Sequence, residues 1–301
     1  MIRRVLLLAV RLAVTAAALA LALRLVEGVG ALELPHRPAP GWAALAVAGY
    51  AAVILVLAAR LRMVLGPGLG AGGLVSLTWR AQGLGQVALG TLGGDAYRSF
   101  VLTRGGRALG WVLGRVLLDR AIGLMGLLLL GALALAWVTG APAMLGLFGL
   151  PLAVGVGLAA LARRRGEALP APLRPVGLAL AGQPAARLWR RGAATLGLAV
   201  LGHLLSVLQF YAIARALGLL PPPVELAAAA SAGLLGAALP LSLGGWGVRE
   251  LSFAAMLGGL GVTMPEAVLV SVLYGLVQLA CGAPAAILAA LHIWWPNRRR
   301  T

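Results

Sequence analysis

Apolar residues in this chain run in long blocks rather than recurring on one helix face or alternating as in a half-buried strand. The clear blocks are Val5–Val26, Gly41–Leu65, Ala108–Val138, Ala143–Ala162, Ala193–Leu217 and Ala267–Ile293. A bilayer hydrocarbon core about 30 Å thick takes about 20 helical residues, so runs of this length with few charges predict transmembrane helices. Two more blocks, Gly73–Gly94 and Val224–Leu260, are as apolar but are broken by Gly and Pro. The composition agrees, with 61% hydrophobic and 11% charged residues in 301, against about 45–50% and about 25% in soluble domains. The chain reads as one membrane domain, 1–301, with no room for a large soluble part.

Charge placement orders these blocks. The formal net charge is +17, from 25 basic and 8 acidic residues, and every basic residue is Arg. The arginines sit at the ends of apolar blocks, where the positive-inside rule wants them, so no nucleic-acid partner is expected. With the N-terminus in the cytoplasm, the inside clusters are Arg3 and Arg4; Arg60 and Arg62; Arg98, Arg104 and Arg107; the loop 163–192; and Arg298–Arg300. The outside is left with Arg37, and with Arg215 close to an outer helix end. This balance holds only if Gly73–Gly94 enters and leaves on the inner side and Val224–Leu260 on the outer side. The predicted fold class is therefore all-α integral membrane: six transmembrane helices plus two oppositely oriented re-entrant helical hairpins. Residues 1–140 and 141–301 then form an inverted-topology repeat. Both termini are cytoplasmic and the location is a bacterial inner membrane. Val5–Val26 is longer than the apolar core of a signal peptide and is read as a retained helix.

The two broken blocks share a short pattern: Thr91-Leu92-Gly93-Gly94-Asp95-Ala96-Tyr97-Arg98 and Ser242-Leu243-Gly244-Gly245-Trp246-Gly247-Val248-Arg249. Each is read as a hairpin turn followed by a half-helix. Lipid cannot satisfy the freed backbone groups, so such breaks must face protein or a wet cavity. A helix N-terminus and an arginine together suit phosphate. The candidate anion-binding set is Arg249, Arg98, Arg80, Gly93, Gly94, Gly244, Gly245 and Ser242. The associated charges are Asp95, Asp119, Arg115, Arg120 and Glu250. Asp95 stands three residues before Arg98 and offers it a local partner, whereas Glu250 is expected on a different face from Arg249. Arg115 and Asp119, four apart, are expected to pair, either in a cavity or at the membrane interface with Trp111 and Trp137. Arg80 has no local acid. His203, Gln209 and Gln278 are expected to make interhelical hydrogen bonds. No metal-ligand spacing or cofactor fingerprint appears, and the lone Cys281 excludes a disulfide framework.

At these same residues the chain resembles the lysylphosphatidylglycerol synthase transmembrane-region family. The resemblance is carried by Leu92-Gly93-Gly94-Asp95-Ala96-Tyr97-Arg98, by Leu118-Asp119-Arg120-Ala121-Ile122-Gly123, and by Leu239-Pro240-Leu241-Ser242-Leu243-Gly244-Gly245-Trp246-Gly247-Val248-Arg249-Glu250. The last is nearly complete; in the first, Leu89 stands about where the family often has Pro. The resemblance implies a flippase-like protein moving a phospholipid or lipid-linked anion between leaflets. Because the chain ends at Thr301, the lipid-aminoacylating activity of the family's bifunctional members is not expected. The expected partner is a membrane lipid with an anionic headgroup, and a homo-oligomer is left open. The rival readings are a membrane-embedded enzyme on a lipid substrate, drawing on Asp95, Asp119, Glu250, Ser242 or His203, and a non-catalytic envelope scaffold.

Overall fold

A computed structural model describes residues 20, 24, 39–87, 91–165, 174, 184–239, 242–258 and 262–294. The described residues contain helices and turns and no strand. The helices are α1 (Pro40–Leu65), α2 (Ala71–Val87), α3 (Thr91–Arg104), α4 (Leu109–Thr139), α5 (Gly146–Arg165), α6 (Ala185–Ala216), α7 (Pro223–Ala238), α8 (Val248–Gly258) and α9 (Met264–Trp294). A 3₁₀ turn, Pro142–Leu145, leads into α5, and another, Leu243–Gly245, precedes α8. The expected span Val5–Val26, most of the loop 163–192, Leu89 and Arg298–Arg300 lie outside the described residues.

The sequence places several of these ends by recognisable devices. Pro40 opens α1 and Pro223 opens α7, positions where a missing N–H costs nothing. Gly66, Gly140 and Gly218 follow α1, α4 and α6 with φ of 78°, 64° and 78°, left-handed conformations that favour glycine at a helix end. At the start of α9, Thr263 N donates to Glu266 Oε2 at 3.0 Å and Glu266 N donates to Thr263 Oγ1 at 3.4 Å, a reciprocal capping box.

Among the described residues, four helices are long and apolar enough to cross a membrane: Pro40–Leu65, Leu109–Thr139, Trp189–Ala216 and Met264–Trp294. They coincide with four of the six expected spans. The remaining described one, Ala143–Ala162, becomes the 3₁₀ turn and α5, with Pro151 inside the helix and a shorter apolar stretch at Pro142–Gly157. The broken blocks do fold as helix pairs. With 17 and 14 residues, α2 and α3 are about 26 and 21 Å long; with 16 and 11, α7 and α8 are about 24 and 16 Å. Each falls short of a core about 30 Å thick.

Contacts divide the chain into two compact units. One comprises Met1–Ala52, Trp79–Gly94 and Leu205–Thr301; the other comprises Val53–Thr78 and Asp95–Leu204. In the first, α7 and α8 pack on each other and α8 packs on α9. Phe210 is sandwiched there by Phe253 and Tyr274, with ring centroids 4.8 and 3.9 Å away. Glycines bring backbones together in this unit. A Cβ on Gly83 would overlap the Gly282 carbonyl and stand 2.8 Å from Ala286 N. Apolar association between helices has no hydrophobic drive in lipid, so close backbone approach supplies the packing energy. In the second unit Gly126 does the same against Ala199, where a Cβ would come within 2.6 Å of the alanine methyl.

Candidate functional site

In the second unit, the centre is Asp119 on α4, 2% exposed. Arg60 of α1 grips it with two parallel bonds, Nε to Oδ1 at 2.8 Å and Nη2 to Oδ2 at 3.0 Å. Arg98 of α3 adds a third, Nη1 to Oδ2 at 3.4 Å. Arg98 also lies 3.7 Å from Asp95 Oδ1, one turn earlier on its own helix. Asp95 in turn accepts from Arg120 Nε at 2.7 Å. The result is a continuous chain of three arginines and two aspartates drawn from α1, α3 and α4. It carries one surplus positive charge. Arg60 and Arg98 are 6% and 8% exposed, and Arg98 Nε is buried without a partner among the described residues. A buried guanidinium nitrogen left unpaired is costly, which makes Arg98 the point where this network has capacity for one more acceptor.

Two sequence expectations change here. Asp119 does not pair with Arg115, although the two share a helix face. Arg115 donates instead to the Val64 carbonyl at 2.7 Å and lies over the Trp111 ring. The reason is tertiary: Arg60 and Arg98 reach the buried carboxylate from neighbouring helices, while Val64 lies in the last turn of α1, where carbonyls lack helical partners. The first Gly-Gly pair, expected at a turn, does not lie at one. Thr91 already begins α3, so Gly93 and Gly94 lie inside a helix rather than at a turn, and neither has a positive φ. Gly94 is there for packing: a Cβ would stand 2.5 Å from the Ala81 carbonyl of α2.

In the first unit, the second Gly-Gly pair is a true turn. Gly244, Gly245 and Gly247 have φ of 61°, 79° and 82°. Gly245 also abuts Ala237, whose methyl would be 2.6 Å from an added Cβ, and Gly244 abuts the Gln86 carbonyl at 2.7 Å. The tip of the second hairpin is therefore seated against the end of α2. Arg249 and Glu250, 3% and 0% exposed, follow in the first turn of α8. Glu250 does not point away from Arg249, as the spacing had suggested. Its Oε1 accepts from Arg249 Nε at 3.0 Å and from Nη2, and its Oε2 accepts from Gly247 N at 2.6 Å. The side chain folds back over the open N-terminus of α8, where the dipole and a free amide favour a carboxylate. The Arg249 guanidinium lies 4.9 Å from the Trp246 ring centroid and 5.6 Å from that of Tyr274. On the remaining side a Cβ at Gly275 would overlap it. This centre is neutral and closed.

Other sequence candidates sort between the two units. Arg80 Nε and Ser242 Oγ, both in the first, are buried without partners among the described residues. Gln278 Nε2 donates to Gln209 Oε1 at 2.9 Å, and His203 Nε2 lies 2.9 Å from the Gly123 carbonyl, as the interhelical reading expected. Arg60 was missed as a site residue because it was counted only as a topology marker. One signal was available: Arg60 and Arg62 are two positions apart, on nearly opposite faces of a helix, so one of them must face protein. Among the described residues no group of three potential metal-ligating side chains comes together.

Long apolar helices, short helix pairs and charges buried where the pairs break define a polytopic membrane protein. The chain belongs to the family described as the lysylphosphatidylglycerol synthase TM region, whose model matches residues 8–286. That places it among multi-pass membrane regions associated with lipid metabolism or transport. A search of curated proteins gave no match.

Proposed function

We propose that this protein moves an anionic phospholipid, or a lipid-linked anion, from one leaflet to the other. The observation that carries the reading is the surplus charge, among the described residues, of the Arg60–Asp119–Arg98–Asp95–Arg120 network, in which Arg98 Nε has no partner among those residues. Charges buried inside a membrane protein are rarely idle. One phosphate monoanion would neutralise the surplus and supply the missing acceptor. Within the other unit, Arg80 has a buried Nε lacking a partner among the described residues, and Arg249 could meet an anion only if Glu250 gave up its place. In this reading α2–α3 and α7–α8 are the two re-entrant hairpins of an inverted repeat, 1–140 and 141–301. Both are too short per arm to cross the core. The termini and the loop 163–192 face the cytoplasm of a bacterial inner membrane.

The test is leaflet exchange of short-chain fluorescent lipids in reconstituted vesicles. Wild-type protein is expected to accelerate exchange of anionic lipids, and Arg98→Gln to slow it about 10-fold or more, in keeping with a lost charge-assisted contact. Equal rates for the two proteins across a panel of anionic lipids would sink the reading. A scaffold, the second reading, is favoured by one observation, the Arg249–Glu250 centre, whose two charges balance each other among the described residues. It predicts no exchange by wild type at all.

A further inference from the structure

A second basic site, away from the Asp119 network and independent of translocation, lies in the same unit at the ends of α1, α4 and α6. A cavity of about 540 Å³ is lined by Met63, Pro184, Ala186, Arg190, Arg191 and Ala194. Its walls divide by chemistry into four apolar side chains and two adjacent, exposed guanidiniums, with no carboxylate among them. Further positive charge gathers beside it. Arg191 is close enough for its charge to act on Arg115. Arg115 and Arg107 lie over one ring, that of Trp111, at 5.2 and 5.1 Å from its centroid. Arg107 Nη1 is buried without a partner among the described residues.

The depth of this group fits a headgroup layer. With 31 residues α4 is about 46 Å long, well beyond a core about 30 Å thick. Its first turns, bearing Trp111 and Arg115, therefore stand at the membrane surface, where indole rings collect. The outward face of the same helix is lipid-compatible: Leu113 and Leu117 are 39% and 45% exposed. Like charges crowded together repel one another unless an anion joins them, and basic pockets between helices at this level take anionic headgroups.

We infer that this cavity holds one glycerophospholipid of net negative charge as a resident ligand. Its phosphate lies between Arg190 and Arg191, and its glycerol and acyl chains run over Met63 and Ala194 into the bilayer. The apolar half of the lining selects a lipid over free phosphate. The bound lipid fixes the start of α6 against the end of α1.

The test uses the full chain purified in detergent, with phosphatidylglycerol, phosphatidylcholine and inorganic phosphate as separate probes. Bound lipid is counted by native mass spectrometry and affinity is read from the shift in Tm on titration. Wild type is expected to retain phosphatidylglycerol in preference to phosphatidylcholine, with inorganic phosphate giving no comparable shift. The double variant Arg190→Gln, Arg191→Gln should bind phosphatidylglycerol about 10-fold more weakly or worse. Arg190→Lys, Arg191→Lys should keep most of the affinity. Met63→Trp, which fills the cavity without changing charge, should also lose the lipid. The same titration in an Arg98→Gln chain should still show this binding event, which separates it from any headgroup contact in the Asp119 network. Undiminished binding by the double Gln variant, equal retention of phosphatidylcholine, or an equal shift from inorganic phosphate alone overturns the assignment.

Discussion

Asp119 draws its cations from two other helices, 59 and 21 positions away in sequence, whereas Glu250 takes the arginine beside it and a backbone amide three positions back. The first centre exists only when α1, α3 and α4 are in place. The second is almost complete within one turn and the start of one helix, and the tertiary structure adds the aromatic walls. The first has three arginines for two carboxylates and an unpartnered nitrogen; the second balances one against one. A locally made pair is protected and closed, and a pair made across helices can carry unused capacity. For that reason we propose the Asp119 network, and not the Gly-Gly turn at Arg249 with its closer family match, as the place where an anion would bind.

The widest gap between the two centres should appear when each carboxylate is replaced by its amide. Asp119→Asn leaves the buried Arg60 without its carboxylate and Arg98 with Asp95 alone, and removing one partner of a buried pair costs about 3–5 kcal/mol. Glu250→Gln also takes the counter-charge from a buried arginine, but the amide keeps an acceptor for Gly247 N and the Trp246 and Tyr274 rings stay beside Arg249, so its cost should lie at the lower end of that range, about 3 kcal/mol. Thermal unfolding in detergent, followed by size-exclusion profile, reads both. A Glu250→Gln protein less stable than Asp119→Asn would break the contrast between a tertiary network and a local pair.

Two glycines sharpen it further. Gly275→Ala thrusts a methyl into the space of the Arg249 guanidinium, while at Gly123 the same methyl would meet Arg60 Nη1 at 3.0 Å. Overpacking a closed site costs about 1–3 kcal/mol, and this is expected for Gly275→Ala. Gly123→Ala should cost less, because the Arg60 tip need yield only a few tenths of an ångström. Equal losses of Tm would show that the Asp119 network is as rigidly enclosed as the Arg249 cage. The smallest expected effect is that of His203→Ala. It removes one hydrogen bond to the Gly123 carbonyl beside Arg60, worth about 0.5–1.5 kcal/mol. Lipid exchange should be retained in that variant; its loss would make His203 part of the network rather than its neighbour.

Much of the helical plan could be read directly from the chain. The blocks Gly41–Leu65, Ala108–Val138, Ala193–Leu217 and Ala267–Ile293 became α1, α4, the apolar part of α6, and α9, because insertion of a long apolar run depends on that run alone. The helix stops at Gly66, Gly140 and Gly218 and the Thr263-x-x-Glu266 start are equally local signals. The break in Val224–Leu260 was legible at Gly244–Gly245, whereas Gly93 and Gly94, read as the turn of the other broken block, lie inside α3. The candidate site was legible only in part. Arg98, Asp95, Asp119, Arg120, Arg249 and Glu250 all proved to lie in buried or part-buried ionic centres. The Asp95–Arg98 contact followed from spacing; the other pairings did not, and Arg60 was overlooked.

What the sequence determined by itself is that this chain lives in a membrane as long helices with two interrupted pairs, and that its charges gather near the interruptions. Tertiary structure decided how each charge is used. Asp119 had Arg115 on its own face, but burial placed Arg60 and Arg98 within reach and left Arg115 to a carbonyl. The same dipeptide became a packing surface at Gly93–Gly94 and a left-handed turn at Gly244–Gly245. A glycine permits both close approach and positive φ, and only the neighbouring backbone selects between them.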